Sequence, residues 1–300
     1  MTRRRGVPAR IGPYAILDRL AKGDVAEVFR AQRAPGEPIV CLKRIRSEYG
    51  NHEDFVALFV AEVELASRLT HPNIVPVYDH GEDGGYYLVM EWVDGGDLAQ
   101  LLDRAGPLEA PVVAHLGAAL ARALVYVHHG DASTGRGPLV HHDVTPHNVL
   151  LSRQGAVKLS DFGLARVLRQ TGDETLTRLR GKPSYLAPEQ WLGDPVGSRV
   201  DLFGLGLVLW RALVGTHPYA EGRPPSALRV KEWIRDHTIT NHRRSLAQAA
   251  PEAPEALQRA IEGLLQPVAT RTPSAEALLE ALAPIAGDAS ERLPALVGPR

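Results

Sequence analysis

The sequence predicts an α+β fold of two lobes. The first is a small antiparallel-sheet lobe with one main helix; the second is larger and mostly helical. Three observations lead there. Residues 14–46 alternate short β-type runs with turns, residues 53–69 carry a helical apolar period, and from residue 97 onward the apolar spacing is mostly helical. The 300 residues suit one large domain or two lobes, and 44% apolar with 23% charged residues is ordinary globular composition.

Taken in order, residues 1–12 read as a tail. Tyr14–Leu20, Ala26–Gln32 and Ile39–Ile45 read as strands, with Pro35 and Gly36 marking the turn before the third. Phe55, Leu58, Phe59, Glu62, Leu65, Ala66 and Leu69 share one helix face, and His71-Pro72-Asn73 ends that helix. A further strand pair closes on Tyr86–Val93, and Asp94-Gly95-Gly96 breaks the pattern. The lobes are therefore expected at about residues 14–93 and 94–283, with a cleft between them of the kind that commonly holds a ligand. Short apolar runs at Leu139–Val140, Asn148–Leu151 and Val157–Leu159 interrupt the second lobe's helices. Residues 286–300, with Pro294 and Pro299, read as a second tail.

Composition excludes several classes. A formal net charge of -1 gives no electrostatic case for nucleic acid or an anionic membrane, and Arg3-Arg4-Arg5 is too short a run to change that. Val112–Val127 contains His115 and Arg122, and Leu202–Val214 contains Arg211, so both read as core helices rather than membrane segments. No apolar stretch follows the N-terminal arginines as a signal peptide requires. Cys41 is the one cysteine, which fits a reducing compartment. A soluble cytoplasmic protein is expected.

Glu62 is the first residue that composition does not explain. A carboxylate on an apolar helix face is costly to bury unless it is paired. Lys43, inside the apolar strand Ile39–Ile45, is a cation that could face it and present its ammonium to a phosphate. A surface Lys beside a tilted helix is the open alternative. The second feature is the run Leu139 to Leu151, in which apolar segments bracket a polar loop holding Asp143 and Asn148. Ser160-Asp161-Phe162-Gly163 follows, where Gly163 would let Asp161 project from a turn. Asn148 and Asp161 are hard oxygen ligands of the type Mg²⁺ uses.

Together these motifs resemble the eukaryotic-type Ser/Thr protein kinase family, in its bacterial form. Val40-Cys41-Leu42-Lys43 matches the strand motif V-A-I-K, and Glu62 matches its helix partner. Asp143 matches the Asp of H-R-D, Asn148 and Asp161 match the metal-binding Asn and the Asp of D-F-G, and Ala187-Pro188-Glu189 matches A-P-E. Asp201 resembles the buried Asp that braces the catalytic loop, and Arg271 the Arg that pairs with the A-P-E glutamate, here Glu189. The likeness spans about residues 14–283. It implies transfer of the γ-phosphoryl group of Mg-ATP to Ser or Thr hydroxyls of protein substrates, including the chain itself; Mn²⁺ is the other cation such ligands accept. Lys43, held by Glu62, would position the phosphates, Asn148 and Asp161 the metal, and Asp143 the substrate hydroxyl. Leu20, Ala21 and Gly23 would belong to the phosphate loop, and Val28, Cys41 and Leu150 would sandwich the adenine. Met90 would line the back of its pocket, backbone groups of Glu91 and Val93 would bond its edge, and Asp97 would meet the ribose.

The departures from the family are specific. Of the loop pattern G-x-G-x-x-G only Gly23 remains, with Ala21 and Ala26 at the other two positions and Asp24 adding negative charge. Weaker ATP affinity or slower turnover is expected. His142 replaces the Arg that would pair with an activation-loop phosphate, so phosphorylation of Thr171, Thr175 or Thr177 is not expected to be a strict on-switch. Thr145 stands where Ser/Thr kinases carry Lys, and Lys182 where they carry Thr, which suggests a swap in which Lys182 supplies the ammonium. The same change leaves tyrosine specificity open. Three other readings are a transition-metal site at His141, His142, Asp143 and His147, a small-molecule kinase, and a pseudokinase scaffold. The first is better explained by packing of His141, the second is opposed by the peptide-docking segment around Tyr185, and the third by the retained Lys43, Glu62, Asp143, Asn148 and Asp161. His128-His129 reads as a helix end.

Overall fold

The computed structural model describes residues 7–23, 26–46, 53–131, 136–162, 183–222, 227–287 and 289–298. They fall into two compact units. One contains the described residues up to His71 together with Val75–Val93 and Phe162; the other contains Pro72–Ile74, Asp94–Asp161 and the described residues from 183 on.

The described residues of the first unit form a six-stranded antiparallel sheet and one helix. Its strands are β1 (Arg10–Ile11), β2 (Tyr14–Lys22), β3 (Ala26–Gln32), β4 (Ile39–Ile45), β5 (Val77–Glu82) and β6 (Tyr86–Glu91), in the order β1-β2-β3-β4-β6-β5. Alternation along the strands sorts side chains to two faces. Ile11, Tyr14, Phe29, Ala31, Val40, Leu42, Tyr87 and Val89 form a buried cluster on one face. Burying each of the large members contributes about 1.5–3 kcal/mol relative to leaving it exposed. The residues between them share the other face. Across that face Ala21 opposes Val28, Val28 opposes Lys43, and Cys41 opposes Met90. The helix α1 (Glu53–Ser67) brings Phe59 against Tyr86, ring centroids 6.3 Å apart. The stretch expected as an N-terminal tail thus contributes β1, with Ile11 fully buried.

The second unit begins with β7 (Gly96–Asp97), α2 (Leu98–Ala105) and α3 (Ala110–His129), followed by β8 (Val149–Leu151) and β9 (Val157–Leu159) in a sheet ordered β7-β8-β9. Leu139–Val140 forms no strand; instead the Leu139 N–H donates to the Val127 carbonyl at 2.8 Å. Among the described residues seven helices follow: α4 (Pro188–Leu192), α5 (Arg199–Val214), α6 (Ala227–Thr240), α7 (Leu246–Ala249), α8 (Glu255–Leu264), α9 (Ala275–Ala286) and α10 (Leu293–Val297). By length and hydropathy α3 could cross a membrane, but 67% of its most apolar stretch is buried inside the unit, against α9 and α5. A helix apolar on all sides is a core helix when its surroundings are protein. Arg211 lies in the last turn of α5, beside the Gly215 cap, and reaches out to Asp103 at 2.6 Å.

Candidate active site

The site in the second unit is assembled around one buried carboxylate. Asp201 sits in the first turn of α5 and is 1% exposed. Its Oδ2 accepts from the N–H of His141 and from Nε2 of His128, each at 2.8 Å, and its Oδ1 accepts from the N–H of His142 at 2.7 Å. Burial alone would raise the Asp201 pKa; the bonds from His128 and the His141 backbone outweigh it and hold the carboxyl below the usual range. For two successive N–H groups to converge on one carboxylate, His142 adopts a left-handed backbone with φ 67°. That conformation is strained for a residue with a Cβ, and the three hydrogen bonds of Asp201 impose it. The Arg-to-His exchange therefore leaves the backbone role of position 142 in place.

The loop held by Asp201 carries the predicted catalytic residues. The Asp143 N–H donates to Nδ1 of His141 at 3.2 Å. Nδ1 is thereby the acceptor, so the proton sits on Nε2, which donates to the Ser160 carbonyl at 2.9 Å. With both ring nitrogens committed and the ring fully buried, His141 is not a metal ligand. No cluster of three or more His, Cys, Asp or Glu suited to a metal occurs among the described residues. Ser160 in turn donates its N–H to the Asn148 carbonyl at 2.8 Å and its hydroxyl to the same oxygen at 3.2 Å. Asn148 spends its side-chain amide protons on Asp143, bonding its carbonyl at 2.8 Å and its Oδ2 at 2.9 Å. Asp143, Asn148 and the residue before Asp161 are thus one hydrogen-bonded unit.

The bonding leaves particular atoms available. Asp143 Oδ1 receives no hydrogen bond from the described residues. Asn148 Oδ1 receives no hydrogen bond from the described residues either, and Asp161 has a left-handed backbone with φ 65°. An amide oxygen and a carboxylate are the hard donors that Mg²⁺ takes, so the residues fit that ion. Leu150 lies directly across the sheet from Asp97, and Asp97 caps α2 by accepting from the Gln100 N–H at 2.8 Å. His147 points outward, 3.8 Å from Asp97. Thr145 is 2% exposed, and its carbonyl accepts from the Asn148 N–H in the 3₁₀ turn Pro146–Asn148.

The other predicted residues belong to the first unit. Val28, Cys41, Lys43 and Met90 share the sheet face described above with Ala21. Leu20 and Ala21 are in β2, and Glu91 ends β6 with its N–H committed to the Pro76 carbonyl at 3.1 Å. Val93 is buried. The β2–β3 turn is closed by the Gly23 N–H donating to the Ala26 carbonyl at 2.9 Å. The Glu62 side chain, Asp24, Gly163, Lys182 and the activation-loop threonines Thr171, Thr175 and Thr177 lie outside the described residues.

Two contributions were not foreseen. His128, which the sequence marks only as a helix end, also donates to the buried Asp201. The second is Gly204 on α5, where a Cβ would come 2.9 Å from the Val144 carbonyl oxygen. Gly204→Ala is expected to push on Val144, next to Asp143. It should cost about 1–3 kcal/mol of stability by overpacking and lower kcat by about tenfold to a hundredfold, since a shift near 1 Å at reacting groups costs up to ~10²-fold. Gly206→Ala is the control: its Cβ meets Leu264 and Leu265 at 2.8–2.9 Å, away from the loop. It should lose stability in a melting experiment while keeping kcat.

This fold and the loop held by Asp201 point to one family. The chain belongs to the protein kinase domain family, whose model matches residues 14–282. It is 34% identical over 282 residues to the tyrosine-protein kinase MasK of Myxococcus xanthus, covering 90% of this chain and 42% of that protein. It is also 34% identical over 209 residues to the serine/threonine-protein kinase PrkC of Bacillus subtilis, covering 69% of this chain and 31% of that one. The chain therefore spans less than half the length of either relative. Among solved structures, the PknI kinase domain of Mycobacterium tuberculosis matches with a TM-score of 0.66 at 28% identity, over 95% of this chain and all of that one. Membership of the family implies ATP as the phosphoryl donor.

Proposed function

We propose that this chain is a Ser/Thr protein kinase that transfers the γ-phosphoryl group of ATP, with Mg²⁺, to hydroxyls of protein substrates and of itself. The observation that carries this reading is the Asp143–Asn148–Ser160 hydrogen-bonded unit suspended from Asp201. It leaves an Asp143 oxygen that no described residue bonds, next to Asn148, and the chain runs on from Ser160 directly into Asp161. Mg-ATP, when bound, supplies the phosphoryl group and neutralises its developing charge. Asp143 orients the substrate hydroxyl and accepts its proton. Asn148 and Asp161 hold the metal, and Lys43, with Glu62 as its partner, fixes the phosphates. Positioning and electrostatics carry the rate in such a site, because little covalent chemistry falls to the protein. Lys182 is the candidate for the role of the usual catalytic-loop lysine, because Thr145 stands at that lysine's position and has no ammonium to offer. The Ser/Thr assignment rests on relatives such as PrkC; MasK is the observation that favours the second reading, tyrosine as acceptor.

The test is transfer from radiolabelled ATP with Mg²⁺ to the chain itself and to generic protein substrates, followed by phosphoamino-acid analysis. Label on Ser and Thr, abolished by Asp161→Asn, is the expected result. Label on Tyr would move the assignment to the second reading. ATP binding without any transfer would leave a pseudokinase.

A further inference from the structure

The stretch after residue 286, expected as a tail, lies beyond the residues that match the family, yet it is built into the second unit. Ala289 and Leu293 are fully buried and Val297 nearly so. Arg104, in the last turn of α2, donates through one guanidinium nitrogen to the carbonyls of Leu296 and Val297 at 2.9 and 3.0 Å. A cation placed on the last carbonyls of a helix satisfies them and complements the helix dipole. On its other side Val297 lies against Gly95, immediately before β7. A Cβ at Gly95 would overlap the Leu151 carbonyl oxygen and come 2.7 Å from Val297. A cavity of about 80 Å³, lined by Gly95, Asp97, Gln100, Arg104, Leu151 and Val297, lies where these pieces meet.

The connection runs to Asp97 through α2. Asp97 Oδ1 accepts from the Gln100 N–H, which ties its carboxylate to the first turn of α2. Arg104 ties the last turn of α2 to α10. Asp97 is also opposed by Leu150 across β7–β8. The eight-residue helix α2 is thus tied at its first turn to the Asp97 carboxylate and at its last turn to a segment outside the matched domain.

We propose that residues 289–297 act as a clasp on the β7–α2 segment, with Arg104 as the positioning residue that fixes Asp97 against the ribose of the nucleotide. The proposal rests on the kinase reading for the role of Asp97. It predicts a signature that a merely structural contact lacks. Loosening the clasp weakens recognition of the ribose hydroxyls and leaves the rest of the nucleotide's contacts in place.

The experiment compares Arg104→Gln with the unsubstituted full chain, using ATP and 2′,3′-dideoxy-ATP. Arg104 is exposed, so the variant is expected to fold, and a melting curve checks this. KM for ATP should rise about threefold to tenfold, the range that one hydrogen bond is worth, with a smaller change in kcat. KM for the dideoxy nucleotide should stay where it was. In an Asp97→Ala background the Arg104 substitution should have no further effect. The clasp is overturned if KM for ATP does not move, or if both nucleotides weaken alike. If the unsubstituted chain transfers no phosphate, the kinase reading has failed on its own. The same comparison is then made with equilibrium dissociation constants, where equal weakening or no change still overturns the clasp.

Discussion

Asp143→Asn is expected to lower kcat by about 10²–10⁴, the usual contribution of a positioned general base, with the melting temperature and KM for ATP little changed. The substitution is close to isosteric. The Asn148 amide also bonds the Asp143 carbonyl, and the Asp143 N–H is held by His141 Nδ1, so the loop keeps its backbone anchors. What disappears is the one oxygen that can take a proton from a substrate hydroxyl, because an amide is not a base. Initial rates at saturating ATP measure this directly. A kcat within a few-fold of the unsubstituted chain would limit Asp143 to orienting the substrate and remove it from the proton transfer.

The contrast with Gly204→Ala separates two ways of damaging the loop. Asp143→Asn removes a function and leaves the packing. The Gly204 methyl leaves every functional group in place and moves the backbone beneath them. Loss of rate without loss of stability identifies the first, and loss of both the second.

The candidate residues could be named from the chain because their signals are local. Lys43 reads from a three-residue strand context, and Asp143, Asn148 and Asp161 fall within nineteen positions in a fixed order. The β3 and β4 boundaries were also readable, since period-two patterns between turn residues are strong signals. The supports of the site were less legible. Asp201 is separated from its partner His128 by 73 positions, and nothing local distinguishes His128 from its exposed neighbour His129. The usable signal was the buried Asp201 itself, since a carboxylate in an apolar helix must find donors. The clasp was missed for a different reason. Pro294 and Pro299 suggest a chain end, yet Pro294 is tolerated at the start of α10, where its missing N–H leaves no bond unmade. The burial of Leu293 and the reach of Arg104 over 192 positions are properties of the fold alone.

The largest expected loss of stability is at a pair remote from the chemistry. Arg271 and Glu189 face each other with two bonds, at 2.6 and 3.0 Å, and their side chains are 0% and 4% exposed. Removing either partner strands a buried charge, which costs about 3–5 kcal/mol, a sizeable part of the ~5–15 kcal/mol that holds a domain together. At about 2–4 °C per kcal/mol for a domain near this size, Arg271→Met should melt some 6–20 °C lower. Glu189→Gln should lose less. The guanidinium it leaves behind still has the carbonyls of Gln266 and Arg199, at 3.0 and 2.8 Å, and the face of Phe203, 4.8 Å from the ring centre. Among the described residues, a carboxylate left by Arg271→Met has no comparable set of donors. The double variant Glu189→Leu with Arg271→Met should then be more stable than Arg271→Met alone, because it replaces a stranded charge with apolar volume. Melting curves of the singles and the double decide the point. Strictly additive losses would mean that the pair is uncoupled and that Arg271 stabilises the unit through its carbonyl and ring contacts instead.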